Sequence, residues 1–171
     1  MINIDDEENV DWLHYKLPVT ITELFNAAGL YPCGPVQWNV VDALTETSAG
    51  VYVVGLVSQP DQACNALETP HFDDEIVTNR WNRGQPAIYI GRTSRSLRRR
   101  LTEFYRHQHG QARPHRGGQD VKLLTCALWV YWAATSDPAI AEDKMIEHFR
   151  SKVGRLPFAN RVRSARVSVT V

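Results

Sequence analysis

Two short runs constrain the fold of this 171-residue chain most tightly: GVYVVGLVS (50–58) and AIYIG (87–91). Both are dense in β-branched and aromatic residues, too short for a buried helix and punctuated by glycine, so they read as strands. A third strand is expected within LLTCALWVYWAAT (123–135). Helices alternate with them. Thr20 and Glu23 have capping-box spacing ahead of Leu24 and Phe25, with Gly29 as the stop. SLRRRLTEFYRH (96–107) follows the second strand as a helix. The last helix is bounded by Asp137 at the N-cap, Pro138 at the first helical position and Gly154 at the end. YPCGP (31–35) reads as a turn. Residues 59–86 read as an excursion with helix around 61–67 and 73–81, and residues 110–120 as a polar loop. The end of the chain reads as a proline turn before a candidate final strand. The order β, β, α, β, α indicates a small α/β domain in which residues 1–86 are partly accessory.

The formal net charge of zero conceals a segregation. Residues 1–80 hold 2 Lys/Arg against 13 Asp/Glu, and residues 81–171 hold 17 against 6, a balance of −11 and +11. A basic half suggests nucleic acid, while mutual neutralisation of the two halves is the plain alternative. The acidic start, MINIDDEENVDW, lacks the apolar stretch of a signal peptide, and no run approaches a membrane span. Cys33, Cys64 and Cys126 form no CxxC pair, so a disulfide framework or zinc site is not expected. A cytoplasmic protein with reduced thiols follows as the expectation.

Five arginines fall between positions 92 and 100, and one differs from the rest. Leu97, Leu101 and Phe104 form a stripe at helical spacing. Arg100, three after Leu97 and four before Phe104, lies on or beside it, whereas Arg98 and Arg99 point elsewhere. In the last helix Ala141, Met145, Ile146 and Phe149 form the apolar face, and Glu142 falls on it. Charges so placed are costly unless paired or used. Two readings stand at this point: an Arg100–Glu142 salt bridge or snorkelling side chains, and a cleft lined by a fixed cation and a carboxylate. A carboxylate for a divalent metal, an arginine for phosphate and a tyrosine for proton transfer suit phosphodiester hydrolysis.

These residues resemble the GIY-YIG nucleases. Gly50-Val51-Tyr52 is similar to the first half of that signature and Tyr89-Ile90-Gly91 to the second. RTSRSLRRRL resembles the family's following helix entry and places its arginine on Arg100. AEDKMIEHF resembles the helix carrying the metal-binding glutamate, on Glu142. Pro157 and Asn160 match the P-x-x-N ending. The likeness spans roughly residues 49 to 161 in order.

The resemblance implies an α+β fold with a small three-stranded antiparallel sheet flanked by helices. Residues 1–48 would form an acidic arm and accessory helix, and residues 49–171 the nuclease-like domain with an insertion at 59–86. It implies a divalent-metal-dependent DNA endonuclease, compact and restriction-type or stand-alone, with one Mg2+ (Mn2+ substituting) on Glu142. Tyr52 would be the base toward water, Tyr89 would orient the nucleophile or phosphate, and Arg100 would stabilise the pentavalent charge. Arg92, Arg95, Arg98, Arg99, Arg113, His115, Arg116 and Asn160 would contact DNA, chiefly through backbone phosphates. The long gap between the two tripeptides departs from the family pattern. So does Phe104, where many members carry histidine; His107, His109 and His115 are nearby substitutes, with solvent-exposed loop histidines as the plainer reading. A non-cleaving nucleic-acid-binding module and a charge-neutralised interaction domain are the competing functions.

Overall fold

A computed structural model describes residues 17–63, 69–112 and 117–161. The acidic arm (1–16), Cys64, the loop residues Arg113, His115 and Arg116, and the candidate final strand beyond 161 lie outside them. The chain is α+β. It runs α1 (Ile21–Ala27), β1 (Cys33–Gln37), a 3-10 turn (Trp38–Ala43), β2 (Gly50–Gly55), α2 (Glu75–Thr78), β3 (Ala87–Thr93), α3 (Leu97–Arg106), a second 3-10 turn (Gln119–Leu123), β4 (Trp129–Ala134) and α4 (Pro138–Val153).

The sheet has four strands, not three, in the order β1-β4-β2-β3, every pairing antiparallel. The additional strand, β1, occupies the segment expected to be a turn. Its proline is tolerated because β1 lies at the edge, where only one side of the strand needs ladder hydrogen bonds. The register with β4 breaks between Cys33 and Val36, across Gly34-Pro35.

Strand alternation divides the core in two. Val51 and Val53 of β2, with Ile90 of β3, face α1 and α4 and pack with Leu24, Phe25, Met145, Ile146 and Phe149. Tyr52 and Val54 face α3, packing with Tyr89, Leu97, Leu101 and Phe104. Residue Ile88 is extra in the β2–β3 ladder: Val54 pairs with Tyr89, but Gly55 pairs with Ala87. This bulge turns both Ile88 and Tyr89 toward α3.

The helices begin and end where their signals lie. Thr20 and Glu23 form a reciprocal capping box, Ser96 caps α3 through the Arg99 amide, and Gly154 ends α4 in the left-handed region. Far from being peripheral, Ile21, Leu24 and Phe25 of α1 are fully buried. The described part of the 59–86 excursion is also fastened down. Phe72 stacks on Phe158 and Trp81 meets it edge-on, at 5.2 and 5.1 Å between ring centroids. Asn82 Nδ2 donates to the Leu156 carbonyl at 2.8 Å. Of the two helices expected there, one turn forms, α2; residues 61–63 are not helical, and 64–68 lie outside the described residues.

Candidate active site

Tyr52 sits opposite Gly91 across the β2–β3 ladder, and its ring lies over that glycine. A Cβ at 91 would be 2.6 Å from Tyr52 Cζ, 2.7 Å from its Oη and 2.7 Å from Tyr89 Cε1. Gly118 serves the second tyrosine likewise: a Cβ there would be 2.7 Å from Tyr89 Cζ. The two phenol rings, 6.0 Å apart, both pack against Phe104 of α3. So Phe104 is the apolar wall that holds the tyrosines.

Arg100 enters from α3, half-buried beside the fully buried Leu97 and Leu101, while Arg98 and Arg99 are exposed. Its Nε is buried, as is the Tyr52 hydroxyl, and Arg100 and Tyr89 are polar side chains that act on that hydroxyl. Glu142 arrives from α4 with its side chain only 12% exposed, and its Oε2 accepts from Arg92 Nε at 2.8 Å.

The four groups feel one another. Burial raises the Tyr52 phenol above its usual range; Arg100 pulls it down, and Glu142 pushes it further up. Tyr89 is raised well above that range, by burial first and then by Tyr52 and Glu142, again opposed by Arg100. In this state both tyrosines are neutral O–H groups at pH 7. The structure therefore brings Tyr52, Tyr89, Arg100 and Glu142 together around Gly91, whose missing side chain leaves the space that the two buried phenols fill.

The expected DNA contacts divide. Arg95 and Arg99 reach Glu103, at 3.7 and 2.9 Å, and Arg98 is exposed beside them. With Asp42, Ser96, Thr102 and Arg106, Arg98, Arg99 and Glu103 line an open groove of about 530 Å³ on α3. Arg92 belongs to the site itself, through Glu142. Asn160 does not face a ligand: it is 7% exposed, its Oδ1 accepts from Ile90 N at 3.0 Å, and its Nδ2 donates to Ile90 O at 2.8 Å. It caps the outer edge of β3 as a neighbouring strand would, so its expected role as a DNA contact is replaced by a structural one. His107 is buried at the end of α3 and not a loop histidine; His109 binds Asp120.

Sequence reasoning missed a second charged centre. Asp120 is completely buried in the second 3-10 turn, with Arg161 on it through Nε (2.9 Å) and Nη2 (2.5 Å), Arg80 Nη2 at 2.7 Å and His109 Nε2 at 3.2 Å. Burial would raise its carboxyl, but Arg161, Arg80 and His109 outweigh that and hold it below the usual carboxylate range. No local sequence pattern joins positions 80, 109, 120 and 161.

Among the described residues no group of three or more His, Cys, Asp or Glu could hold a metal ion, and no helix is long and apolar enough to cross a membrane. Cys33 is free and exposed, and Cys126 is exposed. Comparison with protein-family models, curated proteins and solved structures gave no significant match.

Proposed function

We propose that this chain is a divalent-metal-dependent endonuclease of GIY-YIG type that hydrolyses DNA phosphodiester bonds. The observation that carries the reading is the meeting of two buried phenols, an arginine with a buried Nε and a nearly buried carboxylate around Gly91. Arginine and phenol donors with a single carboxylate match the charge of a phosphodiester better than that of a cationic or apolar ligand.

The donor set bears on the metal. One carboxylate cannot cage an ion alone, but it suits Mg2+, which keeps several waters and completes its shell with substrate phosphate oxygens. When bound at Glu142, the ion supplies Lewis-acid polarisation of the phosphate and charge neutralisation. Arg92, which already engages Glu142, orients that carboxylate and shares its charge. Arg100 places its donors where negative charge grows on the phosphorane oxygens. Burial, the largest influence, and Glu142 keep the Tyr52 phenol protonated while Arg100 opposes them, so Tyr52 would accept the attacking water's proton only after releasing its own to solvent; neutralising the Glu142 charge would ease that release. Tyr89, raised further, stays an O–H donor that orients water or a phosphate oxygen.

The alternative, a nucleic-acid-binding module without cleavage, draws on the Arg92–Glu142 ion pair, which satisfies the carboxylate without any metal. Incubating supercoiled plasmid with the protein in magnesium separates the two. The nuclease reading expects nicking that EDTA stops and that Glu142→Ala lacks. Bound but intact plasmid under all conditions favours the module.

A further inference from the structure

We propose that the Asp120 cluster is a phosphate-binding subsite that grips the nucleic-acid backbone away from the bond being cut. The inference rests on the nucleic-acid reading above and names a contact point for the same substrate. Its chemistry comes first. Asp120 brings one negative charge, while Arg80 and Arg161 bring two positive ones and His109 a third when protonated. Asp74 acts on Arg161 only as the weakest of its influences. The cluster is thus cationic, and its one carboxylate already accepts from all three partners.

The geometry leaves the guanidinium usable. Arg161 engages Asp120 side-on through Nε and Nη2, which fixes the plane and keeps Nη1 for another acceptor. Arg161 and His109, with side chains 35% and 40% exposed, line a cavity of about 470 Å³ together with Gly110, Gln111, Ala112 and Gln119. Among the described residues its wall holds one guanidinium, one imidazole, two amides and no carboxylate. A cavity that size admits a phosphodiester group with its flanking sugars, and fixed planar donors beside neutral amides recognise phosphate oxygens well.

The placement ties the cavity to the cleft. Gly118, two residues before Asp120, lies against the Tyr89 ring, and Arg161 N donates to Gly117 O at 3.3 Å. Asn160, next to Arg161, holds Ile90 beside Tyr89. A strand crossing the Tyr52–Tyr89 edge therefore has a second anchor on the Tyr89 side, rigidly joined to β3.

The test is equilibrium binding of a short fluorescent DNA duplex by anisotropy across a salt series, with calcium replacing magnesium. Arg161→Gln should bind about tenfold more weakly and lower the slope of log K against log salt by about 0.9, the loss of one phosphate contact. Gln111→Glu keeps an oxygen for the Gln108 amide, so the loop bond survives while a negative charge enters the cavity. It should also weaken binding several-fold, against an unchanged Gln37→Glu control on exposed β1. Should Arg161→Gln fail to fold, Gln111→Glu decides. Wild-type slope and affinity in the variants, or no DNA binding by the wild type, overturns the subsite. A rise in melting temperature with millimolar inorganic phosphate, lost in Arg161→Gln while DNA binding is unchanged, would assign the cavity to a free anion and overturn the strand contact. Failure of the nuclease reading looks different: wild type leaves DNA uncut in magnesium while the variants still lose salt slope.

Discussion

Replacing Gly91 by alanine probes the site's construction directly. The new methyl would lie 2.6 Å from Tyr52 Cζ and 2.7 Å from both Tyr52 Oη and Tyr89 Cε1. Carbon contacts are favourable at about 3.5–4.0 Å, so each ring must withdraw by roughly 1 Å. Both rings are wedged against Phe104, 6.3 and 5.3 Å away between centroids, and have no space to retreat on that side. Overpacking of this kind costs about 1–3 kcal/mol, against about 0.5–1 kcal/mol that alanine gains over glycine within a strand. A net loss of up to about 2.5 kcal/mol follows. The catalytic effect is larger, because a misplacement of about 1 Å lowers rate by on the order of 100-fold. Gly118→Ala, 2.7 Å from Tyr89, should behave alike, whereas Gly117→Ala, with nothing within 4 Å, should be neutral or slightly stabilising. Urea unfolding followed by tryptophan fluorescence, beside plasmid nicking, gives both quantities. A Gly91→Ala protein of wild-type stability and nicking rate would refute the packing argument, as would equal behaviour of the two neighbouring glycines.

Further outcomes follow from the same contacts. Arg100→Ala should slow single-turnover cleavage by about 100-fold or more, as expected for losing a donor to the transition state, while Arg98→Ala should weaken DNA binding and leave the saturated rate near wild type; equal losses would refute the choice of Arg100. Asn160→Ala strands the Ile90 N–H and C=O on β3 and should cost about 2–4 kcal/mol in urea unfolding, with hydrogen exchange at Ile90 accelerated; an unchanged midpoint would refute its structural role. Alkaline stability should fall above about pH 10. Burial raises the phenols of Tyr52 and Tyr89, and that of Tyr131 to about 12, so the unfolded chain loses protons that the folded one keeps. Each such phenol steepens the fall by up to about 1.4 kcal/mol per pH unit, and Tyr52→Phe should make it shallower. Stability that is flat from neutral to strongly alkaline pH would contradict the burial of these hydroxyls.

What could be read from the sequence was what periodicity and capping encode locally. β2, β3, β4 and helices α1, α3 and α4 were marked by β-branched runs, by Thr20 and Glu23, by the Leu97, Leu101 and Phe104 stripe and by Asp137, Pro138 and Gly154. Arg100 and Glu142 stood out because each interrupts an apolar stripe, and the structure brings both to the two tyrosines. β1 was hidden by Gly34 and Pro35, which signal a turn in isolation; only pairing with β4 makes that segment a strand. The bonds that Asn160 and Arg92 make within the fold were not legible for a related reason. Polar residues near a basic stretch suggest ligand contact, but Asn160 faces the open ladder of β3 and Arg92 faces Glu142 across from α4. The Asp120 centre joins residues up to 81 positions apart, from Arg80 to Arg161, and such partners become neighbours only when the excursion and the chain's last described residues close on the second 3-10 turn.

The central claim, hydrolysis of DNA at the Tyr52–Tyr89 edge, is tested most directly by single-turnover incubation of end-labelled duplex with excess protein in magnesium. Wild type would be compared with Tyr52→Phe, Arg100→Ala and Glu142→Ala, each matched for fold by near-ultraviolet circular dichroism. We expect cleavage by the wild type and losses of about 100-fold or more in every variant. Duplex left intact by the wild type in magnesium or manganese, or cut equally well by the three variants, would contradict the account.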